Sequence, residues 1–314
     1  MNLSPRQAPA ADADREAPVA SVIIPSEEMR PNLERCLAAV SAQDLVEPHE
    51  ILVVTNPAPQ REAQLRAAFP QVRLVHCPPD SGPGGARNYG IEAARGEYLA
   101  FTDDDCLPPA DWLRRLLEVC RRREGLPVTG WVDPADPGSA LGRTVLLAER
   151  GIPRPRRPRL VPGASGGNMA VSRRLLMETG ARFGDIYGAG EMVLLSRLPD
   201  RYRSVIMDPS VCVRHLRQDD LRGSLRRMYR LGRGSGQWRK RTAMRGSIFA
   251  RHPWLIPALP AARLAVTGAR SVAGGWRSAL DFVRLMPIIS LMMVWYAAGF
   301  AAGVRQAARE PGAS

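Results

Sequence analysis

The sequence is short of lysine: of its 44 Lys and Arg residues only Lys240 is a lysine. Arginine this dominant partly reflects codon usage, so an arginine here is not by itself a phosphate reader. Cysteine is sparse too. Cys36, Cys77, Cys106, Cys120 and Cys212 are odd in number and contain no CxxC pair. That argues against a disulfide framework and for a reduced, cytosolic compartment. The opening stretch MNLSPRQAPAADADREAP lacks an apolar run, so no cleavable signal peptide is expected, and residues 1–18 read as a disordered tail.

What is present has a globular balance. The 314 residues are 45% hydrophobic and 24% charged, enough for a sizeable core. The formal net charge is +13, and residues 213–251 hold twelve Arg/Lys against two Asp, which is +10 of it. Such a patch seeks an anionic partner, either nucleic acid or an acidic membrane surface. Nucleic-acid binding would favour aromatic or zinc-module context. Tyr229 and Trp238 give the charges little such context, so nucleic acid is not the expected partner.

After the tail, strand and helix patterns alternate. ASVIIPS (20–26), EILVVT (50–55) and VRLVHC (72–77) are apolar, β-prone runs. Between them, Leu33, Cys36, Leu37 and Val40 recur at helical spacing after Pro31, and a polar helix is predicted near 59–69. Further helices are predicted at 85–95 and around Trp112, Leu113, Leu116, Leu117 and Cys120. Continuous apolar strands separated by helices predict an α/β fold with a mostly parallel sheet covered on both faces. Residues 125–165 are Pro/Gly-rich and read as long loops, and SGGNMAVSRRLLMETG (165–180) resumes strand then helix.

One stretch poses a question. In EYLAFTDDDCLPPADWL (97–113) a buried-type strand ends on three like charges, Asp103, Asp104 and Asp105. A cation, or a ligand carrying one, would resolve the repulsion. An acidic turn that caps the next helix is the alternative. In sheets of this kind, ligands sit outside the carboxyl ends of the strands, where these aspartates lie. One helix and one strand earlier, DSGPGGARNYG (80–90) precedes a helix. Its glycines let backbone N–H groups approach an anion, the helix N-terminus adds partial positive charge, and Arg87 adds a full one. It is neither a Walker loop nor GxGxxG. A phosphate cradle beside a carboxylate cluster is a layout for a diphosphate bridged by a divalent metal.

SVIIPS, EILVV, GPGGARNYGIEAARGEYLAFTDDDCLPPADWL, GGNMAVSRRLLMETGARF and GAGEMVLLSRL stand in the order seen in family 2 inverting glycosyltransferases of the GT-A fold, which residues 19–215 resemble. The resemblance implies a nucleotide-diphospho-sugar transferase fold. It implies a donor side formed by Pro25, Ser26 and Glu28, by Thr55 and Asn56, by Gly85, Arg87 and Asn88, and by Asp103 and Asp104. It implies Mg2+ or Mn2+ held by Asp103 and Asp105, with His215 at the phosphates or metal. Gly166, Gly167, Asn168 and Trp131 would border the acceptor.

The chain also departs from the family pattern. Thr55-Asn56 stands where an acidic residue usually ends the second strand, and Ser26-Glu27-Glu28 where a Tyr-Asn pair is usual. Met192 replaces the second member of an acidic pair. Glu191 is then the first candidate for the base that an inverting transfer needs, and Asp185 the second. The alternative is a protein that binds nucleotide-sugar or membrane without turnover.

Beyond residue 215 the character changes. Residues 216–252 predict an Arg-rich helix whose narrow apolar face is Leu221, Leu225 and Met228. Residues 253–306 predict apolar membrane-associated helices, followed by a tail at 307–314. Residues 285–304 carry no charge, and a helix of about 20 residues matches the roughly 30 Å of a bilayer core. A buried core helix is the alternative. Arg263 and Arg270 favour an interfacial over a spanning 253–276, with two spans the alternative. Gly299 and Gly303 offer a close-packing face for a helix-mediated dimer. The resemblance and the apolar tail together imply a metal-dependent hexosyltransferase-like enzyme on the cytoplasmic face of the cell membrane. It would take a nucleotide-sugar donor and a glycan or lipid-linked acceptor, as in cell-envelope synthesis, and would rest against an anionic membrane surface.

Overall fold

A computed structural model describes residues 17–309, apart from 28, 30, 124, 135, 137, 151–153, 217–219 and 243–245. The first half runs β1 (Ala20–Pro25), α1 (Asn32–Ser41), β2 (His49–Thr55), α2 (Pro59–Ala68), β3 (Val72–His76), α3 (Gly82–Ala93) and β4 (Tyr98–Thr102). It continues through β5 (Cys106–Leu107), α4 (Trp112–Arg122), β6 (Val128–Asp133), α5 (Ala140–Arg150) and β7 (Arg159–Val161). Then come β8 (Asn168–Ser172), α6 (Arg173–Thr179), α7 (Gly190–Ser196) and β9 (Val205–His215). Four helices close the chain: α8 (Leu221–Arg241), α9 (Ile248–Arg251), α10 (Leu259–Ala273) and α11 (Trp276–Arg309).

Among the described residues nine strands join one sheet in the order β3-β2-β1-β4-β8-β6-β9-β5, with β7 paired to β9. β3, β2, β1 and β4 are parallel neighbours. All six residues of β1 are buried, because helices cover both faces. Alternate residues part to opposite sides. Val22 and Ile24 join Leu33 and Leu37 of α1 and Leu116 of α4, while Ile23 joins Ile91 of α3 and Leu194 of α7. Beyond β4 the sheet is mixed: β8 runs antiparallel to both β4 and β6, and β6 is parallel to β9.

The region 125–165 is not a set of long loops. It holds β6, α5 and β7. Register along β6 shifts at Gly130/Trp131, a bulge that breaks strand periodicity, and α5 takes its place by packing on α11.

The C-terminal helices form a third apolar cluster with α5, centred on Met228, Leu285, Ile289, Met292 and Phe300. α8 buries Ser224, Met228, Gly232 and Gly236. Leu221, expected on its apolar face, is 40% exposed, and Leu225 is only half-buried. The true contact face consists of small residues. A Cβ at Gly232 or Gly236 would strike the Tyr296 or Phe300 carbonyl, and one at Gly299 or Gly303 would strike the Tyr229 or Arg233 carbonyl. The two backbones therefore meet directly. The Gly299/Gly303 face is used within the chain, so it is not open to the helix-mediated dimer predicted from sequence.

Among the described residues α11 is the one helix long and apolar enough to cross a membrane, with 44% of its apolar window buried inside the protein. Arg263 of α10 turns inward: its guanidinium lies 3.9 Å from the Tyr296 ring centroid and donates to the Ala148 carbonyl at 3.1 Å. Only Arg270 of the pair that suggested an interfacial 253–276 is exposed.

Candidate active site

The three aspartates leave the carboxyl end of β4, and each meets a different partner. Arg87 Nη2 donates to Asp103 Oδ1 at 2.5 Å. The Ser26 hydroxyl donates to Asp104 Oδ2 at 2.7 Å in a buried contact. His215 Nε2 stands 3.3 Å from Asp105 Oδ1, because β5 pairs with β9 in a register that sets Cys106 opposite His215. The alternative of a helix-capping turn does not hold, since α4 begins at Trp112 with Asp111 at its N-cap.

One ligand atom each from Asp103, Asp105, Cys106 and His215 lies within 4.8 Å of the others. Two carboxylates and an imidazole are an oxygen and nitrogen donor set that suits Mg2+ or Mn2+. Cys106 was read in the sequence only as a reduced thiol, although it directly follows the aspartates. Burial, and then the charges of Asp103 and Asp105, push its thiol well above the usual range. The groups that could face a divalent cation here are the two carboxylates and the imidazole.

Arg87 projects from α3 and is buried, with its guanidinium 5.3 Å from the Phe183 ring centroid. Its Nε is buried with no hydrogen-bond partner among the described residues. Gly166 and Gly167, just before β8, lie against this group. A Cβ at Gly166 would collide with Glu191 Oε1 and the Arg87 guanidinium, and one at Gly167 with Asp103 Oδ2. The Gly166 amide donates to Glu191 Oε1 at 2.9 Å. Glu191 is in the first turn of α7, where the helix dipole favours a carboxylate.

Asn88 holds the approach to α7. It donates to the Phe183 carbonyl at 3.0 Å and accepts from the Phe183 amide at 2.9 Å. Both ends of its amide are thus engaged by the backbone of the 183–190 loop. Gly84 brings α3 against the same loop, since a Cβ there would strike the Gly184 carbonyl. The glycines of 82–85 form the first turn of α3 rather than a free loop, and Gly85 is half-buried there. Asp185 sits at that turn, with Oδ1 3.0 Å from where a Gly82 Cβ would stand.

At the carboxyl end of β1, Pro25 and Ser26 are buried, and Glu28 lies outside the described residues. Thr55, at the end of β2, is fully buried and donates to the Asn56 carbonyl at 3.2 Å. The Asn56 amide oxygen accepts from the Cys77 thiol at 3.6 Å. Glu27, given no role by the sequence reading, has Oε1 buried without a partner among the described residues.

Trp131 and Asn168, expected to border the acceptor, are both fully buried. Asn168 accepts from Trp112 Nε1 at 2.9 Å and donates to the carbonyls of Trp131 and Val211 at 2.8 and 3.2 Å. Trp131 Nε1 donates to Asp133 at 2.8 Å. These side chains tie β6, β8 and β9 together and line no surface. Of the four expected acceptor-side residues, the structure brings Gly166 and Gly167 to Glu191 and Arg87.

A doubly covered sheet of this order, with an aspartate run at the end of a central strand facing a histidine, is the GT-A class of nucleotide-diphospho-sugar transferase fold. The chain matches the model of glycosyl transferase family 2 over residues 21–180, just over half its length, and belongs to that family. Glycosyltransferase AglE of Haloferax volcanii is 36% identical over 103 residues, covering 31% of this chain and 34% of AglE. Succinoglycan biosynthesis protein ExoO of Rhizobium meliloti is 38% identical over 100 residues, covering 31% and 28%. The matches thus span about a third of these relatives' length. The mannosyltransferase PcManGT from Pyrobaculum calidifontis, solved with GDP-Man and Mn2+, superposes with a TM-score of 0.58 at 20% identity, covering 94% and 87% of the two chains. TarS 1–349 of S. aureus, solved with UDP-GlcNAc, gives 0.50 at 13%, covering 93% and 92%. At these identities the likeness is one of fold.

Proposed function

We propose that this chain is an inverting, divalent-metal-dependent glycosyltransferase that moves a sugar from a nucleotide-sugar donor to an acceptor hydroxyl. One observation carries the reading: Arg87, Asp103 and Glu191 converge on the backbone of Gly166 and Gly167. Cationic, metal-ligating and basic groups are thereby brought together at one point beside the carboxyl end of β4.

The acceptor oxygen attacks the anomeric carbon from the face opposite the diphosphate. The bond from that carbon to the phosphate oxygen breaks, and the nucleoside diphosphate leaves with the electron pair. Glu191 takes the acceptor proton, with Asp185 the second candidate for that role. Arg87 offers its free Nε to the leaving phosphate once donor binding loosens its pair with Asp103. Asp103, Asp105 and His215 would hold Mg2+ or Mn2+, whose charge would offset that of the diphosphate. Ser26, Thr55 and Asn56, at the ends of β1 and β2, are assigned to the nucleoside end.

Two features support an acceptor at the cell envelope and a seat on the cytoplasmic membrane face. Several relatives are named for envelope polysaccharides, succinoglycan for ExoO and ExoM and, putatively, teichuronic acid for TuaG. All five cysteines here are free thiols, as a reducing compartment requires. The second reading, binding without turnover, rests on Met192, which packs with Ala189, Val193 and Trp238 rather than supplying a carboxylate. Turnover of a panel of nucleotide-sugars with and without Mn2+ separates the two. Metal-stimulated consumption supports transfer, and binding without consumption supports the second reading.

A further inference from the structure

α11 is apolar on both sides. Leu285, Ile289, Met292, Met293, Tyr296 and Phe300 are buried against α5, α8 and α10. On the opposite side Trp276, Leu280, Val283, Leu291 and Val294 are exposed, Trp276 at 72% and Val283 at 62%. At 3.6 residues per turn these five fall within about 80° of arc, in a stripe about 27 Å long. Farther along the same side stands Arg305, also exposed, and the apolar stripe ends. Arg277 and Arg284, both exposed, border one edge, and the Arg277 guanidinium lies 5.3 Å from the Trp276 ring centroid. Trp254 and Val272, exposed at 75% and 67%, add apolar surface from the preceding segments.

A helix apolar all round is stable when both sides are covered, and no described residue covers this one. A bilayer crossing conflicts with α8. The Tyr296–Val304 portion of α11 meets α8 backbone to backbone, and α8 carries exposed Arg222, Arg226, Arg230, Arg233, Lys240 and Arg241. Taking α11 across would draw those charges into hydrocarbon. A second copy fits poorly, since isologous pairing would set one arginine-edged face, with Arg277, Arg284 and Arg305, against another of the same sign. The nearby Asp281 is already 3.6 Å from Arg143. An anionic lipid surface satisfies both parts of the stripe: apolar side chains enter the acyl boundary, and tryptophan and arginine remain at the headgroups.

We propose that α11 lies in the plane of an anionic membrane surface on its Trp276–Val294 stripe and does not cross the bilayer. The inference rests on the membrane association proposed above and specifies its mode. It also links the membrane to the site. α8, which clamps α11, sets the Arg230 guanidinium 4.0 Å from the Tyr187 ring centroid and packs Trp238 on Ala189 and Val193. The Glu191 loop is thus one helix away from the lipid, in reach of an acceptor carried by a lipid.

The test uses the full chain with vesicles of phosphatidylcholine alone or mixed with phosphatidylglycerol. Wild-type protein should co-sediment with the anionic vesicles. Trp276→Asp with Val283→Asp should weaken this at least about tenfold, since both side chains are solvent-exposed and the melting temperature should hold. Arg277→Glu with Arg284→Glu should remove the preference for anionic lipid. In membranes, Ala273→Cys and Arg309→Cys, at exposed positions flanking the two ends of α11, should react with an impermeant maleimide from the same side. Labelling from opposite sides, unaltered binding by the Asp pair, or a solution dimer that the Asp pair dissolves would each overturn the in-plane seat while leaving membrane association or self-association in its place. No vesicle binding by wild type would overturn the association itself.

Discussion

The Gly166 amide holds Glu191 Oε1 at 2.9 Å, although the two residues belong to different elements. That bond fixes one carboxylate oxygen beside Gly166, where the Arg87 guanidinium also lies. Glu191→Gln keeps the shape and removes the proton acceptor. Turnover is expected to fall about 10²–10⁴-fold, the range for general-base catalysis, with little change in donor affinity. Steady-state kinetics beside donor titration would check this. Unchanged turnover would move the role to Asp185.

Asp105 and His215 face one another at 3.3 Å across β5 and β9. Asp105→Ala should abolish Mn2+ binding, measured by the paramagnetic resonance of free Mn2+, while the circular dichroism spectrum stays that of wild type. If the variant still binds Mn2+, the aspartate run is an acidic turn and not a metal site.

Gly232 and Gly299 let α8 and α11 meet backbone to backbone. Gly232→Val would force the helices apart and should cost about 1–3 kcal/mol, the usual range for overpacking. Chemical denaturation would show it. A neutral substitution would mean that the helix pair is not close-packed in solution.

Cys120 lies deep between α4 and the sheet, and burial pushes its thiol up to about 12 from the ordinary 9.0. The folded state therefore keeps a proton that the unfolded chain loses first. The thiol's contribution to stability is complete below pH 9 and declines as pH rises toward 12. The slope is at most about 1.4 kcal/mol per pH unit. Melting curves from pH 7 to above 9 should show wild type losing more stability than Cys120→Ala across the upper part. Parallel curves would contradict the burial argument.

Much of the donor half was legible in the sequence. Its strands are buried on both faces and so appear as unbroken apolar runs, such as β1 and β2. The aspartate run marks a strand end by charge alone. What could not be read depends on contacts distant in sequence. The role of Asn168 appears only when Trp112, Trp131 and Val211 converge on its amide. Glycines are weak positions in an isolated helix, and the use of those in α8 appears only with α11 beside them. α5 was hidden because its stability comes from packing on α11 rather than from its flanking Pro/Gly-rich sequence.

The most direct test of the account follows the anomeric carbon. Purified full-length protein, a consumed nucleotide-sugar and a hydroxyl acceptor, with Mn2+ present, should give a glycoside whose anomeric configuration is opposite to the donor's, read by proton NMR coupling constants. A product of retained configuration, or donor that is bound yet never consumed across the panel, would contradict inverting transfer with Glu191 as base.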